Sequence, residues 1–409
     1  MTLDPSIELR PALADEMLTL ITTGERAFGS DVKPERAALE MAAIEPERTL
    51  AAFDGRSLVA SAGIYTFDMT IPGGPVPMAG VTWVGVLPTH RRRGILTAMM
   101  RRQLTELHEQ EREPVAALWA SEPVIYRRFG YGLGSMRLGM TVESRLPFVA
   151  GAPARGGVRL VDLAEARAVI QPIYDRIRVD RPGMVSRTPP RWDLTLDDAE
   201  DSRQGASSLQ CAVTNDDGGY VLYRTKGDSQ NWVPSGKVTV RDFVSTSPDT
   251  ATLWRYLLDL DLMTTVESWN RPLDDPLAYL VTDVRRTRPA IGDAVWVRVV
   301  DVERGLAART YSEAGSVVIE VVDETCPWNA GTFRIDVDAA DSRGVKVART
   351  EESAQLTVSA VELGAVYLGG TRLRALAAAG FVDEHTAGAV TRADRMFAGP
   401  VEPWCAEVF

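Results

Sequence analysis

Three consecutive arginines followed by a glycine, Arg91 to Gly94, lie between two segments of different hydrophobic period. The apolar, β-branched run from Val81 to Leu87 predicts a strand, and apolar residues at spacings of three and four from Leu96 to Leu107 predict a helix. The first backbone N–H groups of a helix lack intrahelical partners and carry partial positive charge, and arginines add charge-assisted donors. Gly94 leaves room for an anion to approach the backbone. The segment therefore predicts a site for a phosphate-rich ligand.

The other familiar phosphate-binding loops do not fit this turn. The chain has no P-loop string, and the dinucleotide fingerprint needs three glycines where this turn has one. The turn resembles the acetyl-CoA motif of GNAT-type N-acetyltransferases, in which Arg91 and Gly94 fit and Leu96 replaces a final small residue. The longer string from Pro88 to Leu96 resembles, more narrowly, the enhanced intracellular survival (Eis) acetyltransferases of actinobacteria. The alternative interpretation is a solvated run of positive charge.

The resemblance implies acetyl-CoA as co-substrate and assigns its binding residues. Backbone groups of Val84 and Val86 would hold the pantetheine arm, and the arginines with Gly94 would hold the pyrophosphate. The implied cofactor-binding set is Val84, Gly85, Val86, Arg91, Arg92, Arg93, Gly94, Ile95 and Ser121.

A tyrosine, Tyr126, follows the short apolar run from Val115 to Trp119, which predicts a buried strand. When an amine attacks a thioester, the thiolate that leaves must be protonated, and a tyrosine hydroxyl can donate that proton because its pKa is close to that of a thiol. The segment from Ala120 to Gly132 resembles the Eis pattern, which implies that Tyr126 is the general acid and that Ser121 lies near the thiol end of the cofactor. The alternative role for Tyr126 is aromatic packing in a glycine-rich turn.

The last residues of the sequence carry the second implied catalytic group. In Eis proteins the terminal carboxylate of a phenylalanine reaches the active site as the base that deprotonates the amine, and Phe409 fits that rule. A carboxylate with a reference pKa of about 3.5 is a weak base unless it is desolvated or relayed through water, and Glu407 is the alternative base. The residues predicted to line the amine pocket are Trp83, Asp31, Glu35 and Glu407. Asp31 and Glu35 fit exposed acids at a helix end equally well.

The elements that must position these residues predict an α+β chain of three units. The first, residues 1–150, begins with a strand at Ile7–Arg10 and a hairpin around Asp54-Gly55, and it ends at a linker rich in glycine at residues 151–157. Residues 158–288 repeat the order of strands and helices and resemble a second, degenerate GNAT domain. Around Thr239 to Phe243 this unit lacks the glycines, and Asp242 would repel a phosphate.

The third unit, residues 289–409, begins with alternating strands such as Val295–Val300. It resembles the sterol-carrier-protein-like domain that closes Eis chains. Leu363 to Leu368 could line a lipid pocket, but a helix that packs beside a sheet fits this pattern better.

Composition excludes several other classes of protein. The net charge of −11 argues against a nucleic-acid partner and suits a cationic amine substrate. Three widely spaced cysteines and three histidines predict neither a disulfide framework nor a metal site. No run approaches the ~20 apolar residues of a membrane helix, and the segment that begins at Met1 lacks the features of a signal peptide, so we expect a cytoplasmic protein without a membrane partner.

Taken together, the resemblance implies an acetyl-CoA-dependent N-acetyltransferase that acts on primary amines of aminoglycosides, with lysine side chains as a further acceptor class. It also implies a homohexamer built as a dimer of trimers. The rival hypothesis is a vestigial member of the family with a regulatory or lipid-binding role. The joint presence of Arg91 to Gly94, Tyr126 and Phe409 favours the enzyme.

Overall fold

The structure is a computed structural model that describes residues 2–154, 156–338 and 344–409. Met1 and Arg155, which belong to the predicted N-terminal segment and linker, lie outside the described residues. The strands up to residue 143 are β1 (Ile7–Arg10), β2 (Thr49–Asp54), β3 (Ser57–Ile71), β4 (Gly74–Val86), β5 (Val115–Trp119), β6 (Gly132–Leu133) and β7 (Met136–Glu143). The helices in this part are α1 (Met17–Ala27), α2 (Pro34–Ala43), α3 (Ile95–Gln110) and α4 (Pro123–Arg127).

The middle of the chain contributes a second set of elements. Its strands are β8 (Val158–Val161), β9 (Gln210–Thr214), β10 (Gly219–Lys226), β11 (Ser229–Gln230), β12 (Val233–Pro234), β13 (Gly236–Ser245), β14 (Met263–Arg271) and β15 (Ala290–Asp293). Its helices are α5 (Leu163–Arg178), α6 (Pro189–Thr195), α7 (Asp249–Leu258) and α8 (Leu277–Leu280).

The last part of the chain alternates strands and short helices. The strands are β16 (Val295–Val299), β17 (Gly315–Val322), β18 (Gly331–Val337), β19 (Val345–Arg349), β20 (Leu356–Ser359) and β21 (Val382–Glu384). The helices are α9 (Val302–Ala308), α10 (Ala360–Val366), α11 (Leu373–Ala378) and α12 (Ala389–Phe397).

These strands form three main sheets. The first has the order β1-β2-β3-β4-β5-β16-β6, the second β15-β7-β14-β13-β10-β9-β8, and the third β19-β18-β17-β20-β21. In the first sheet β4 and β5 run parallel and pair only from Met78 to Gly80 with Val115 to Ala117. Since β4 continues to Val86 without β5 beside it, the two strands diverge, and an opening forms between their carboxyl ends.

Two strands lie in a different sheet from the one that the sequence analysis implied. The run at Val295–Val299, predicted for the third unit, is β16 and lies between β5 and β6 of the first sheet. The run at Met136–Glu143, predicted for the first unit, is β7 and lies between β15 and β14 of the second sheet. An apolar alternation identifies a strand but not its neighbours, because pairing depends on residues far away in the chain.

Helix α10 fastens the last part of the chain to the first sheet. A Cβ atom on Gly132 would lie 1.9 Å from the carbonyl oxygen of Val361, and one on Gly364 would lie 2.2 Å from that of Val297. Leu363 and Leu368 are buried in the largest apolar core. The interpretation of this segment as a packing helix therefore fits the structure better than a lipid pocket.

Candidate active site

A β-bulge in β4 shapes the opening between the diverging strands. Ser61 pairs with Gly85 and Gly63 pairs with Thr82, so Trp83 and Val84 face a single residue of β3. Trp83 takes a positive φ of 54°. Its indole Nε1 donates a hydrogen bond to the Tyr65 hydroxyl at 3.0 Å, and the Ser61 hydroxyl donates to its carbonyl at 2.8 Å. A bulge bends its strand and redirects a side chain, and here it turns Trp83 toward the opening.

A cavity of about 620 Å³ lies at the end of β4 and the start of α3. It is lined by Ala27, Phe28, Val84, Gly85, Val86, His90, Arg91, Arg92, Gly94, Ile95, Leu96, Thr97, Ser121, Glu122, Ile125, Tyr126 and Arg128. The structure therefore brings together every residue of the implied cofactor-binding set except Arg93.

Arg93 points away from this cavity and holds the N-terminal segment instead. Its guanidinium forms ion pairs with Asp4 and Asp54, each at 2.8 Å, and donates a 2.8 Å hydrogen bond to the Ser6 hydroxyl. These contacts raise the pKa of Arg93, the Asp54 and Asp4 hydrogen bonds being the main causes. The predicted role of Arg93 at a pyrophosphate does not fit this arrangement, because its donors are occupied by carboxylates that lie far from it in sequence.

Gly94 lines the cavity, but the structure shows a reason for a glycine here other than the predicted room for an anion. It caps the N-terminus of α3 with a φ of 78°, a conformation that residues with a Cβ adopt at a cost. A Cβ here would lie 2.3 Å from the carbonyl oxygen of Thr2. The glycine is thus needed where the N-terminal segment crosses the turn, in addition to any contact with a ligand.

A second cavity, of about 200 Å³, joins the first. It is lined by Phe28, Val81, Thr82, Trp83, Val84, Trp119, Ser121, Tyr126 and Phe409. Phe28, Val84, Ser121 and Tyr126 line both cavities. A long ligand in the larger cavity and a small one in the smaller cavity would meet beside Tyr126.

Tyr126 is buried, and its position suits proton donation. Burial and then the charge of Glu122 raise the pKa of Tyr126 to about 12, so the hydroxyl carries its proton at neutral pH. Its ring lies edge-on to that of Tyr131, with centroids 6.1 Å apart. The hydroxyl of Tyr131 is fully buried and has no hydrogen-bond partner among the described residues.

The C-terminal residues reach the smaller cavity from the far side. The ring of Phe409 packs against Phe67 at 5.0 Å, and a Cβ on Gly80 would lie 3.3 Å from it. Glu407, predicted as a pocket residue and an alternative base, instead lies buried between Arg187 and Arg191. Burial would raise the pKa of Glu407, but the two arginines outweigh it and the pKa is lowered. A carboxylate held in this way is a poor base.

The remaining predicted pocket residues divide into two groups. Trp83 lines the smaller cavity, whereas Asp31 and Glu35 are exposed and line neither cavity, so the interpretation as exposed acids fits them. Sequence reasoning missed Phe28 and Trp119, which line the smaller cavity. Phe28 follows the last residue of α1 and is exposed, which only the structure shows, so no local sequence signal identified it.

Comparison with known proteins gives three family matches. Residues 8–134 and 183–299 each match an acetyltransferase (GNAT) domain, and residues 302–406 match a sterol carrier protein domain. The α+β architecture expected from the sequence, two GNAT-type domains and then a sterol-carrier-protein-like domain, is thereby confirmed. In working domains of this class, acetyl-CoA supplies the acetyl group.

Relatives match along most of the chain. A protein of Streptomyces avermitilis described as an uncharacterized N-acetyltransferase is 42% identical over 388 residues, which are 93% of this chain and 94% of that protein. The N-acetyltransferase Eis of Mycobacterium tuberculosis is 35% identical over 360 residues, 85% of each protein. The crystal structure of Eis1 from Mycobacterium abscessus is 36% identical, covers 98% of this chain and 100% of its own, and superposes with a TM-score of 0.82.

The fold and the paired cavities define a GNAT N-acetyltransferase. Within that superfamily the chain belongs to the Eis family.

Two further observations concern metals and membranes. Within residues 2–154, 156–338 and 344–409, no group of three or more His, Cys, Asp or Glu side chains is arranged to hold a metal ion. Every helix in these ranges is too short or too polar to cross a membrane. Cys211, Cys326 and Cys405 are buried free thiols.

Proposed function

We propose that this protein transfers the acetyl group of acetyl-CoA to a primary amine held in the smaller cavity. The observation that carries the proposal is the position of Tyr126, which lines both cavities where they join. When bound, acetyl-CoA supplies an acetyl thioester, whose C–S bond breaks as the amine nitrogen bonds to the carbonyl carbon. Tyr126 donates its hydroxyl proton to the sulfur that leaves, and the proton that the nitrogen loses on forming the amide restores the Tyr126 hydroxyl.

The larger cavity offers the groups that the co-substrate needs. Arg91 and Arg92 lie beside the N-terminus of α3 and bind the pyrophosphate there, together with the unpaired backbone N–H groups of the helix. Among the described residues, the end of β4 pairs with no residue of β5, so backbone groups of Val84 and Val86 can pair with the amide groups of the pantetheine arm, and the long 3.4 Å hydrogen bond from Arg91 Nε to the Val86 carbonyl would give way to such pairing. Ser121 lies at the junction, near the sulfur.

Phe409 supplies the base in this proposal. Its carboxylate, in a cavity walled by Trp83 and Trp119, orients the ammonium group of the acceptor and takes its proton, directly or through a water molecule. The role requires a free carboxyl group on Phe409, which the mass of the intact protein tests.

The acceptor class that we propose is a primary amine of an aminoglycoside, with lysine side chains as a further class. The aromatic rings of Phe28, Trp83 and Trp119 can hold an ammonium group by cation–π interactions. Because the smaller cavity has a volume of only about 200 Å³, one amine-bearing ring enters it and the rest of a larger acceptor stays outside. The net charge of −11 draws cations toward the protein.

The experiment follows thiol release from acetyl-CoA with a panel of multi-amine aminoglycosides, a lysine-containing peptide and small aromatic amines. We expect release with at least one acceptor, and loss of that activity when a short peptide is added after Phe409. The matched control carries the same peptide at the exposed Gly151, which lines neither cavity and has no atom within 4 Å of its Cβ position. No release with any acceptor would favour the rival hypothesis of a vestigial enzyme, and full activity of the extended protein would contradict the role of Phe409.

Assembly and location follow from the family resemblance alone. We propose a homohexamer, a dimer of trimers, in the cytoplasm. Sedimentation equilibrium should give about six times the 44.7 kDa of one chain, and a monomer at micromolar concentration would contradict the proposal.

A further inference from the structure

The C-terminal segment, residues 402–409, lies against the second GNAT domain before it reaches the active site. Trp404 donates its backbone N–H to the Pro182 carbonyl at 2.8 Å and its indole Nε1 to Asn270 Oδ1 at 2.9 Å. Asn270, on β14, donates in return to the Cys405 carbonyl at 2.9 Å. The second domain therefore binds the segment through both backbone and side chains.

The strongest contact in this segment is the carboxylate of Glu407. Arg187 Nε donates to one of its oxygens at 2.6 Å, and Arg191 Nε donates to the other at 2.7 Å. All three residues are buried, with 4% exposure for Glu407. A buried charge is costly unless it is paired, and breaking such a pair leaves an uncompensated charge, so this contact strongly favours one position of the segment.

Arg187 is itself held by Asp242, which the sequence analysis placed near the missing phosphate-binding turn but which lies inside β13, before the turn that leads into α7. Asp242, on β13, forms an ion pair with Arg187 at 2.7 Å and accepts a hydrogen bond from the Tyr220 hydroxyl at 2.8 Å. Asp242 and Arg187 are both buried. The sequence shows only that Asp242 would repel a phosphate, whereas the structure shows that the Asp242 carboxylate pairs with Arg187, which in turn binds Glu407.

The other end of this network touches the wall of the smaller cavity. Arg191 Nη2 donates to the Val408 carbonyl at 2.5 Å, and Trp119 Nε1 donates to the Glu407 carbonyl at 2.9 Å. The guanidinium of Arg191 also lies 5.0 Å from the ring centroid of Tyr65, which accepts the hydrogen bond from Trp83. These contacts involve Val408, which is adjacent to Phe409, and Glu407, which lies two positions before it.

We infer that Asp242, Arg187 and Arg191 form a clamp, by which the second GNAT domain grips Glu407 and sets Phe409 in the acceptor cavity of the first. The three are positioning residues, since they act on the reaction through the C-terminal segment. The second GNAT domain lacks the cofactor motif. It would contribute to the reaction by orienting the C-terminal segment, which completes the active site of the first domain. The catalytic part of this inference rests on the proposed role of Phe409, while the grip on the segment does not.

The first measurement tests the grip without using activity. Protein prepared to end at Phe409 is treated with a carboxypeptidase, and loss of Phe409 is followed by intact mass. In Glu407→Gln we expect release at least about tenfold faster than in wild type, because proteolysis follows the population of the opened segment. The matched control is Asp198→Asn, which breaks another partly buried ion pair of the same domain, with Arg224, and should leave the release rate unchanged.

The second measurement compares amine acetylation with acetyl-CoA affinity. For Glu407→Gln we expect kcat/KM for the amine to fall by about tenfold or more, as a misplacement of about 1 Å can cost still more, while the Kd of acetyl-CoA changes less than about twofold. Asp198→Asn should keep the wild-type kcat/KM even if its melting temperature falls as far as that of Glu407→Gln. A merely structural role for Glu407 would make the two variants alike in activity.

The outcomes separate the clamp from the proposed function. Release of Phe409 from Glu407→Gln at the wild-type rate would overturn the clamp, whatever the activity. Faster release with full activity would support the grip and overturn the catalytic role of Phe409. If Glu407→Gln does not fold, Arg191→Lys keeps the charge but not the paired contacts to Glu407 and Val408, and the same two measurements decide the matter.

Discussion

Tyr126 illustrates how burial selects the protonation state of a residue that we propose as a proton donor. With a pKa raised to about 12 by burial and then by Glu122, the hydroxyl remains protonated throughout the pH range in which an amine loses its proton. The shift keeps the hydroxyl in the neutral form, which is the form that can donate, but it also moves the pKa of Tyr126 away from that of a thiol, so the hydroxyl is a weaker acid than the sequence analysis expects. A donor with this pKa therefore contributes no fall in kcat below about pH 10.

At the residue scale we predict that Tyr126→Phe lowers kcat by about 10²-fold, the usual contribution of a positioned acid, and leaves the Kd of acetyl-CoA within about twofold. Tyr131→Phe is the matched control, because it removes a neighbouring buried hydroxyl that has no hydrogen-bond partner among the described residues. The control should keep wild-type kcat and equal or slightly higher stability, since an unpaired buried hydroxyl is costly. Steady-state kinetics and calorimetry check both. Wild-type turnover in Tyr126→Phe would assign proton donation to another group or to water.

At the scale of elements, the N-terminal segment, which includes Thr2 and Asp4, packs against the junction of β4 and α3. Arg93 fixes Asp4 and Asp54, and the Arg93 carbonyl accepts the Asp4 backbone N–H at 3.1 Å. Thr2 then crosses directly under Gly94. The turn that carries Arg91 and Arg92 is therefore anchored at its C-terminal end by contacts with the N-terminal segment.

This packing predicts the effect of adding a methyl group at the turn. Gly94→Ala must place its Cβ against the Thr2 carbonyl at positive φ, whereas Gly388→Ala meets the same φ of about 80° at the start of α12 with no atom within 4 Å. We expect Gly388→Ala to lose about 1–2 kcal/mol from the free energy of unfolding through backbone strain. Gly94→Ala should lose about 1–3 kcal/mol more through overpacking, and should also bind acetyl-CoA more weakly. Urea unfolding and calorimetry measure both quantities, and equal losses in the two variants would contradict the proposed clash.

Because of this packing, a substitution of Gly94 affects the fold as well as any bound phosphate. An acidic side chain there would strike the N-terminal segment as well as a phosphate, so weaker binding by Gly94→Asp would not by itself locate the pyrophosphate.

At the scale of the whole molecule, the first two domains are joined by exchanged strands. β16 lies between β5 and β6, with Val295 and Val297 fully buried, and β7 lies inside the second sheet. Along the chain, all strands of the second sheet therefore precede β16, the strand that completes the first sheet. This arrangement couples the stability of the two domains.

We predict that a fragment of residues 1–150 does not fold cooperatively, because it exposes the apolar edge of β5 and has no second sheet for β7. A fragment of residues 1–301 contains both sheets and should be the more soluble and more cooperative of the two. Yield of soluble protein and thermal unfolding by circular dichroism check the difference. Cooperative unfolding of the shorter fragment would show that the exchanged strand is dispensable.

Local patterns determined a large share of this structure. The strand predicted at Val115–Trp119 has those bounds, and the helix predicted near Gly94 begins at Ile95. These features depend on hydrophobic period and on the conformational preferences of glycine, which act within a few residues. The spacing of Arg91 and Gly94 predicted a phosphate site at this continuous turn, and both residues line the larger cavity.

Only the tertiary structure decided which groups are free to act. Arg93 has the same side chain as Arg91 and Arg92 and lies next to them in sequence, yet its guanidinium is bound by Asp4 and Asp54. The acid Glu407, which could have served as a base, is instead paired with arginines more than 200 residues away in sequence. Such pairings arise from contacts between distant segments, and no local pattern records them. The motifs therefore indicated which residues meet at the candidate site, while the partner of each charge was settled by how the sheets and the C-terminal segment pack together.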